Sequence, residues 1–155
     1  MKGYLAIAFI FIVFLSCKTT KDSGQETQDI RVFTVETTAC FGRCPIYKLT
    51  IASDGTAFLD AIKFTEADGK YSTQLSDSTV EEFYRRLDTL AWSSYEDVYR
   101  TGYTDLPSVI INYISPEGIQ HKVILEQAAA PKELQQLSRS VEWFRVNLDW
   151  EALDH

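Results

Sequence analysis

The sequence predicts an α+β fold, a two-layer sandwich in which an antiparallel sheet carries two helices at about residues 78–91 and 131–148. Three observations predict it. Segments of alternating bulky and β-branched residues are joined by short turn signals, which only antiparallel neighbours can use. Two other stretches carry apolar residues at helical spacing. The strands come in two groups, each followed by a helix, an order that suits helices gathered on one face of an antiparallel sheet.

Ile30 to Thr37 (IRVFTVET) alternates and reads as a first strand. Cys40-Phe41-Gly42-Arg43-Cys44 then forms a tight turn, with Gly42 free to take positive φ inside it. Pro45 lacks an amide proton and suits the first residue of a strand. Ile46 to Ala52 (IYKLTIA) follows, with Tyr47, Leu49 and Ile51 on one face, which is predicted to point to the core. Asp54-Gly55 is a hairpin signal, because glycine accepts the positive φ of tight turns, and Thr56 to Phe64 returns as a strand. Asp68-Gly69 repeats the device before Tyr71 to Leu75.

Ser78-Thr79-Val80-Glu81 has the capping-box pattern, which opens a helix to about Leu90 with Val80, Phe83, Tyr84, Leu87, Leu90 and Ala91 on its apolar side. Trp92 to Pro107 (WSSYEDVYRTGYTDLP) loses periodicity and is long for a connection, yet its aromatic rings argue against disorder. Ser108 to Ser115 and Ile119 to Glu126 form a second hairpin about Pro116-Glu117-Gly118, apolar enough for central strands. Pro131 suits a first helical turn, and Leu134, Leu137, Val141, Phe144 and Leu148 continue at helical spacing.

Outside this domain, predicted at 30–155, the N-terminus has a different character. Lys2 precedes an apolar and aromatic run from Tyr4 to Leu15, the pattern of an export signal over 1–16. Its twelve residues are too few to cross a bilayer, which takes about 20. Phe14-Leu15-Ser16-Cys17 resembles the lipobox of bacterial lipoproteins, which implies that Cys17 is diacylglyceryl-modified and acylated after cleavage. Residues 17–29 are then the lipidated cysteine and a polar, flexible tether (KTTKDSGQETQD after Cys17). The whole sequence of 155 residues has 15 Lys and Arg against 22 Asp and Glu, a net charge of −7 that repels phosphate backbones and argues against nucleic acid as a partner.

With Cys17 given to an anchor, the exported side keeps an even pair, Cys40 and Cys44. An oxidising compartment favours a disulfide between them, closing a small loop. Two other readings stay open. A thiol redox pair would need a thiolate stabilised by a helix N-terminus or a cation such as Arg43, but the residues after Cys44 read as strand. A zinc site would need two more ligands where the only histidines are His121 and His155. Asp54-Gly55 and Asp68-Gly69 lack the spaced oxygen ligands of a calcium loop. No metal or other cofactor is expected.

Cys40-x-Gly42-x-Cys44-Pro45-x-Tyr47, followed by Asp54-Gly55, Thr104-Asp105-Leu106-Pro107 and Trp150, resembles an uncharacterised family of bacterial lipoprotein domains of unknown function. The resemblance runs roughly from Phe33 to Trp150. It implies an exported, lipid-anchored protein of Bacteroidetes-like bacteria and no particular activity.

No nucleophile elbow, zinc-protease motif or phosphate loop occurs, so no catalytic residue is assigned. In the long loop, Tyr99, Arg100, Tyr103 and Asp105 are candidates for a ligand surface, since aromatic rings with a few polar groups suit a sugar or peptide. Asp105 equally suits a turn cap before Pro107, and the tyrosines equally suit burial. The function predicted is a non-enzymatic binding or interaction domain, lipid-anchored in the cell envelope at the outer membrane. Its partners would be the membrane, through the anchor, and an envelope protein, peptide or glycan. The alternative is an envelope thiol-disulfide redox protein using Cys40 and Cys44.

Overall fold

The computed structural model of the chain describes residues 30–153. The predicted signal peptide 1–16, Cys17, the tether 17–29 and His155 lie outside them. Eight strands form one sheet: β1 (Val32–Thr37), β2 (Ile46–Ala52), β3 (Thr56–Lys63), β4 (Gly69–Gln74), β5 (Val98–Tyr99), β6 (Val109–Ile114), β7 (Gln120–Leu125) and β8 (Glu151–Ala152). Two α-helices interrupt them, α1 (Asp77–Asp88) and α2 (Lys132–Asn147). The sheet order is β5-β7-β6-β1-β2-β3-β4-β8.

The period-2 pattern places side chains as expected. Phe33 and Val35 of β1, Tyr47, Leu49 and Ile51 of β2, Ala57, Leu59 and Ala61 of β3, and Ile111 and Tyr113 of β6 are all buried on one face. Both helices lie against that face. Phe83 of α1 meets Phe33 edge-on at 5.1 Å between centroids and Phe144 of α2 at 5.5 Å. Tyr84 of α1 donates its hydroxyl to the carbonyls of Arg31 and Ile51, each at 2.8 Å, so the helix is bonded to the sheet as well as packed on it. Each fully buried Phe, Leu or Ile of this core contributes roughly 1.5–3 kcal/mol by leaving water.

Several expectations are corrected. The sheet is mixed, not antiparallel, because β5 runs parallel to β7, with Val98 beside Ile124 and Tyr99 beside Leu125. The architecture is therefore a sheet-dominated fold and not the α+β two-layer sandwich on an antiparallel sheet. The physical reason is the stretch after α1. It makes a 3-10 turn at Trp92–Ser94, anchored by the Trp92 indole donating to the Leu87 carbonyl at 2.9 Å, and then reaches the sheet edge in the same direction as β7. Two-residue edge strands of this kind leave no periodic signal.

The N-cap of α1 lies two residues before the predicted one. Ser76, not Ser78, accepts from the Thr79 amide at 3.3 Å, and Thr89 ends the helix by turning its amide to the Arg86 and Leu87 carbonyls. The β3–β4 connection is longer than a two-residue turn and uses Phe64 at φ 59°, with Thr65 donating to the Asp68 carboxylate at 3.1 Å. Gly42 is not among the positive-φ residues, so the cysteine turn does not use the freedom predicted for it. Gly55 does use it, at φ 89°.

Candidate functional site

The end of β1 at Thr37 meets the starts of β2 and β6, and here the loops gather. The Cys40–Cys44 disulfide, with Cα atoms 5.8 Å apart, closes the loop between β1 and β2. Thr37 pins the base of that loop, its hydroxyl donating to the Pro45 carbonyl at 2.8 Å and accepting from the Tyr47 amide at 3.0 Å. A second loop is laced to it. The Thr38 amide donates to the Ser108 carbonyl at 3.0 Å, the Ser108 amide to the Thr38 hydroxyl at 2.8 Å, and the Phe41 amide to the Asp105 carbonyl at 3.3 Å.

Below these loops lies a cavity of about 400 Å³. Val35, Pro45, Tyr47, Leu106, Pro107 and Val109 make apolar walls, Cys44 brings the disulfide to the rim, and Gln127 and Ala128 come from a 3-10 turn before α2. The floor is one face of α2, where Ser138 and Glu142 stand one helical turn apart. A cleft of this size with apolar walls and a few convergent polar groups is the usual form of a small-ligand site.

The polar groups are unequal. Glu142 accepts from the Tyr47 hydroxyl at 2.9 Å and from Arg145 at 2.7 and 3.1 Å. Arg145 also pairs with Glu66, and its guanidinium lies 5.3 Å from the centre of the Tyr47 ring. Burial pushes the Glu142 carboxyl up, but the bonds from Arg145 and Tyr47 outweigh it and hold it below its ordinary value. Burial and the adjacent Glu142 push the Tyr47 phenol up, so it is a neutral donor at pH 7. Ser138 stands apart. It is 4% exposed, and its Oγ has no hydrogen-bond partner. A buried hydroxyl left so costs about 1–3 kcal/mol, and such atoms are uncommon in folded proteins.

Ser138 Oγ makes no hydrogen bond, and Glu142, one turn along the same helix, directs its bonds to Tyr47 and Arg145. Among the described residues no group of three or more His, Cys, Asp or Glu is placed to hold a metal ion.

None of Tyr99, Arg100, Tyr103 and Asp105 lines this cavity. Tyr99 is half-buried in β5 and accepts the Glu96 amide at 2.8 Å on its hydroxyl. Arg100 is exposed, and Tyr103 is 73% exposed. Asp105 is exposed and uses its backbone carbonyl to hold the cysteine loop. Their loop reaches the cavity through the next two residues, Leu106 and Pro107. His121 stacks on Trp92 at 5.5 Å, away from the cysteines' loop.

Sequence reasoning missed Ser138 and Glu142 and took Tyr47 for core alone. One signal was present. Ser138 falls within the apolar stripe Leu134, Leu137, Val141, Phe144 of α2, where a hydroxyl is out of place unless it has a partner.

No curated protein matches the chain. A family described as a domain of unknown function, DUF6438, matches residues 31–145, a span that takes in the disulfide loop and every wall of the cavity, and the chain belongs to that family.

Proposed function

We propose that this chain is a lipid-anchored protein of the bacterial cell envelope whose folded domain binds a ligand without converting it, in the cavity beneath the disulfide loop. The observation that carries the reading is the apolar cavity with one buried hydroxyl, Ser138, lacking any partner. Ser138 makes no hydrogen bond to a base, and the nearby Glu142 carboxylate is engaged by Tyr47 and Arg145, which favours binding over turnover. The anchor rests on the sequence alone: the apolar run Tyr4 to Leu15 followed by Ser16-Cys17 and a polar stretch. β1 runs from Val32 to Thr37 at the cavity, about 20 Å by strand rise.

The redox alternative has less support. The chain enters β2 after Cys44, so no helix N-terminus stabilises a thiolate, and the Arg43 guanidinium is engaged over the Phe64 ring at 5.5 Å.

Two experiments test the proposal in cells. Intact mass should show acyl groups on Cys17 and detergent-extractable membrane association, both lost in Cys17→Ser. A photocrosslinking residue at Gln127, exposed on the cavity rim, should capture a discrete adduct that the same residue at exposed Trp143 does not. A soluble wild-type protein would contradict the anchor, and equal capture at both positions would contradict the site.

A further inference from the structure

We infer that the cavity takes an uncharged molecule with an apolar body and one hydroxyl or carboxamide group, which is received by Ser138 and Glu142 on the cavity floor. This rests on the reading of the cavity as a ligand site and specifies its ligand. The walls set the apolar body, since Val35, Tyr47, Leu106, Pro107 and Val109 offer no unpaired donor or charge to a polar one. The floor sets the polar group.

Ser138 Oγ can both donate and accept, and it does neither in the described protein. A ligand group that also does both, a hydroxyl or an amide, satisfies it in either sense. Glu142, one turn further along α2, keeps acceptor capacity on Oε1, which takes one bond, from Arg145 Nη2 at 2.7 Å. An N–H or O–H of the ligand can bond there without disturbing the Tyr47 and Arg145 bonds to Oε2.

Charge argues against ionic ligands. The Arg145 side chain is 4% exposed, is not part of the cavity wall, and spends its donors on Glu142 and Glu66. An anionic ligand would therefore meet a carboxylate with no free cation and would enter a chain of net charge −7. A cationic ligand would compete with Arg145 for a carboxylate it already neutralises. The neutral ligand alone leaves the Arg145 network intact and supplies what Ser138 lacks.

The test uses matched probes with one apolar body and different head groups: benzyl alcohol, benzamide and benzoate, titrated at millimolar concentration into isotope-labelled full-length protein. The expected result is that benzamide and benzyl alcohol shift the amide resonances of Gln127, Ala128 and Ser138 and benzoate does not. Ser138→Ala should weaken benzamide about fivefold, the value of one hydrogen bond, with the rest of the spectrum unchanged. Benzoate bound in the cavity as tightly as benzamide would overturn the inference and leave the cavity as a site. No probe shifting those amides would overturn the site itself. Unchanged benzamide affinity in Ser138→Ala would remove Ser138 from the role given to it. The comparison of probes on wild-type protein needs no variant to fold.

Discussion

The Arg145 guanidinium is almost wholly buried yet serves two carboxylates that both reach solvent, Glu142 and Glu66. Removing it leaves Glu142 beside the cavity with only the Tyr47 hydroxyl as partner. Arg145→Met is expected to cost about 2–3 kcal/mol in urea unfolding, the low end for breaking a buried pair because its partners are partly wet. Glu66→Gln should cost well under about 1 kcal/mol, since Glu66 is 70% exposed and such pairs are weak. The same cluster sets an acid sensitivity. Hydrogen bonding to Arg145 lowers Glu66, and in Glu142 the bonds from Arg145 and Tyr47 prevail over burial, so both carboxyls titrate below their ordinary 4.5 when folded. The unfolded chain then binds more protons in that range. Their contribution is complete above about pH 4.5 and is lost as pH falls through the folded values. Unfolding midpoints between pH 7 and pH 3 should fall less steeply in Arg145→Met than in wild type. At this scale the sequence is uneven. Tyr47 was legible as a core residue from its alternation with Leu49 and Ile51, whereas its bond to Glu142, 95 residues away, depends on how α2 is rotated against the sheet.

At the scale of elements, the rim of the cavity is two loops tied to each other, and only one is closed covalently. Replacing Cys40 and Cys44 by serine removes a five-residue closure, for which chain entropy predicts a loss of about 2 kcal/mol. Because the loops are bonded through Thr38, Phe41, Asp105 and Ser108, hydrogen exchange should rise in 105–108 as well as in 38–45. A rise in 38–45 alone would contradict the coupling. The β2–β3 hairpin offers a sharper test of backbone geometry. Gly55 sits at φ 89°, and an added Cβ would lie 3.0 Å from the Leu75 carbonyl and 2.4 Å from the end of the Gln74 side chain. Gln74 can move and the carbonyl cannot, so Gly55→Ala should destabilise by about 2 kcal/mol in thermal or urea unfolding. This hairpin was readable from Asp54-Gly55, and the pairing of β6 with β7 from Pro116-Glu117-Gly118, because local turn chemistry dictates both. The cap of α1 was misplaced by two residues, since Ser76 and Ser78 are both good cap residues and only the packing of Val80, Phe83 and Leu87 chooses between them.

For the whole molecule, the order of strands was beyond local patterns. β1 lies in the middle of the sheet, between β2 and β6, and its pairing with β6 joins residues about eighty positions apart. The strands β5 and β8 have two residues each, too few for alternation to register, and the parallel pairing of β5 with β7 makes the sheet mixed. The cavity belongs to the same class of information. Its walls come from β1, β2, β6, two loops, the 3-10 turn Gln127–Ala129 and α2, and no window of the sequence holds more than a few of them. The aromatic loop 92–107 drew attention for its length and rings, yet it contributes to the rim through Leu106 and leaves Tyr103 in solvent. Trp92 and Tyr95 instead pack edge-on at 6.0 Å as an extension of the core.

A ligand site beneath the disulfide loop requires that the cavity be occupied in the cell. Native mass spectrometry of the full-length protein, extracted gently from its own envelope, reads that occupancy directly when wild type is compared with Ala128→Trp. Ala128 is exposed on the cavity's lip, so the indole closes the mouth without entering the core. A noncovalent adduct of defined mass is expected on wild type and absent from Ala128→Trp, with equal unfolding midpoints once both proteins are stripped of ligand. The same adduct on both proteins, or none on either, would contradict the site.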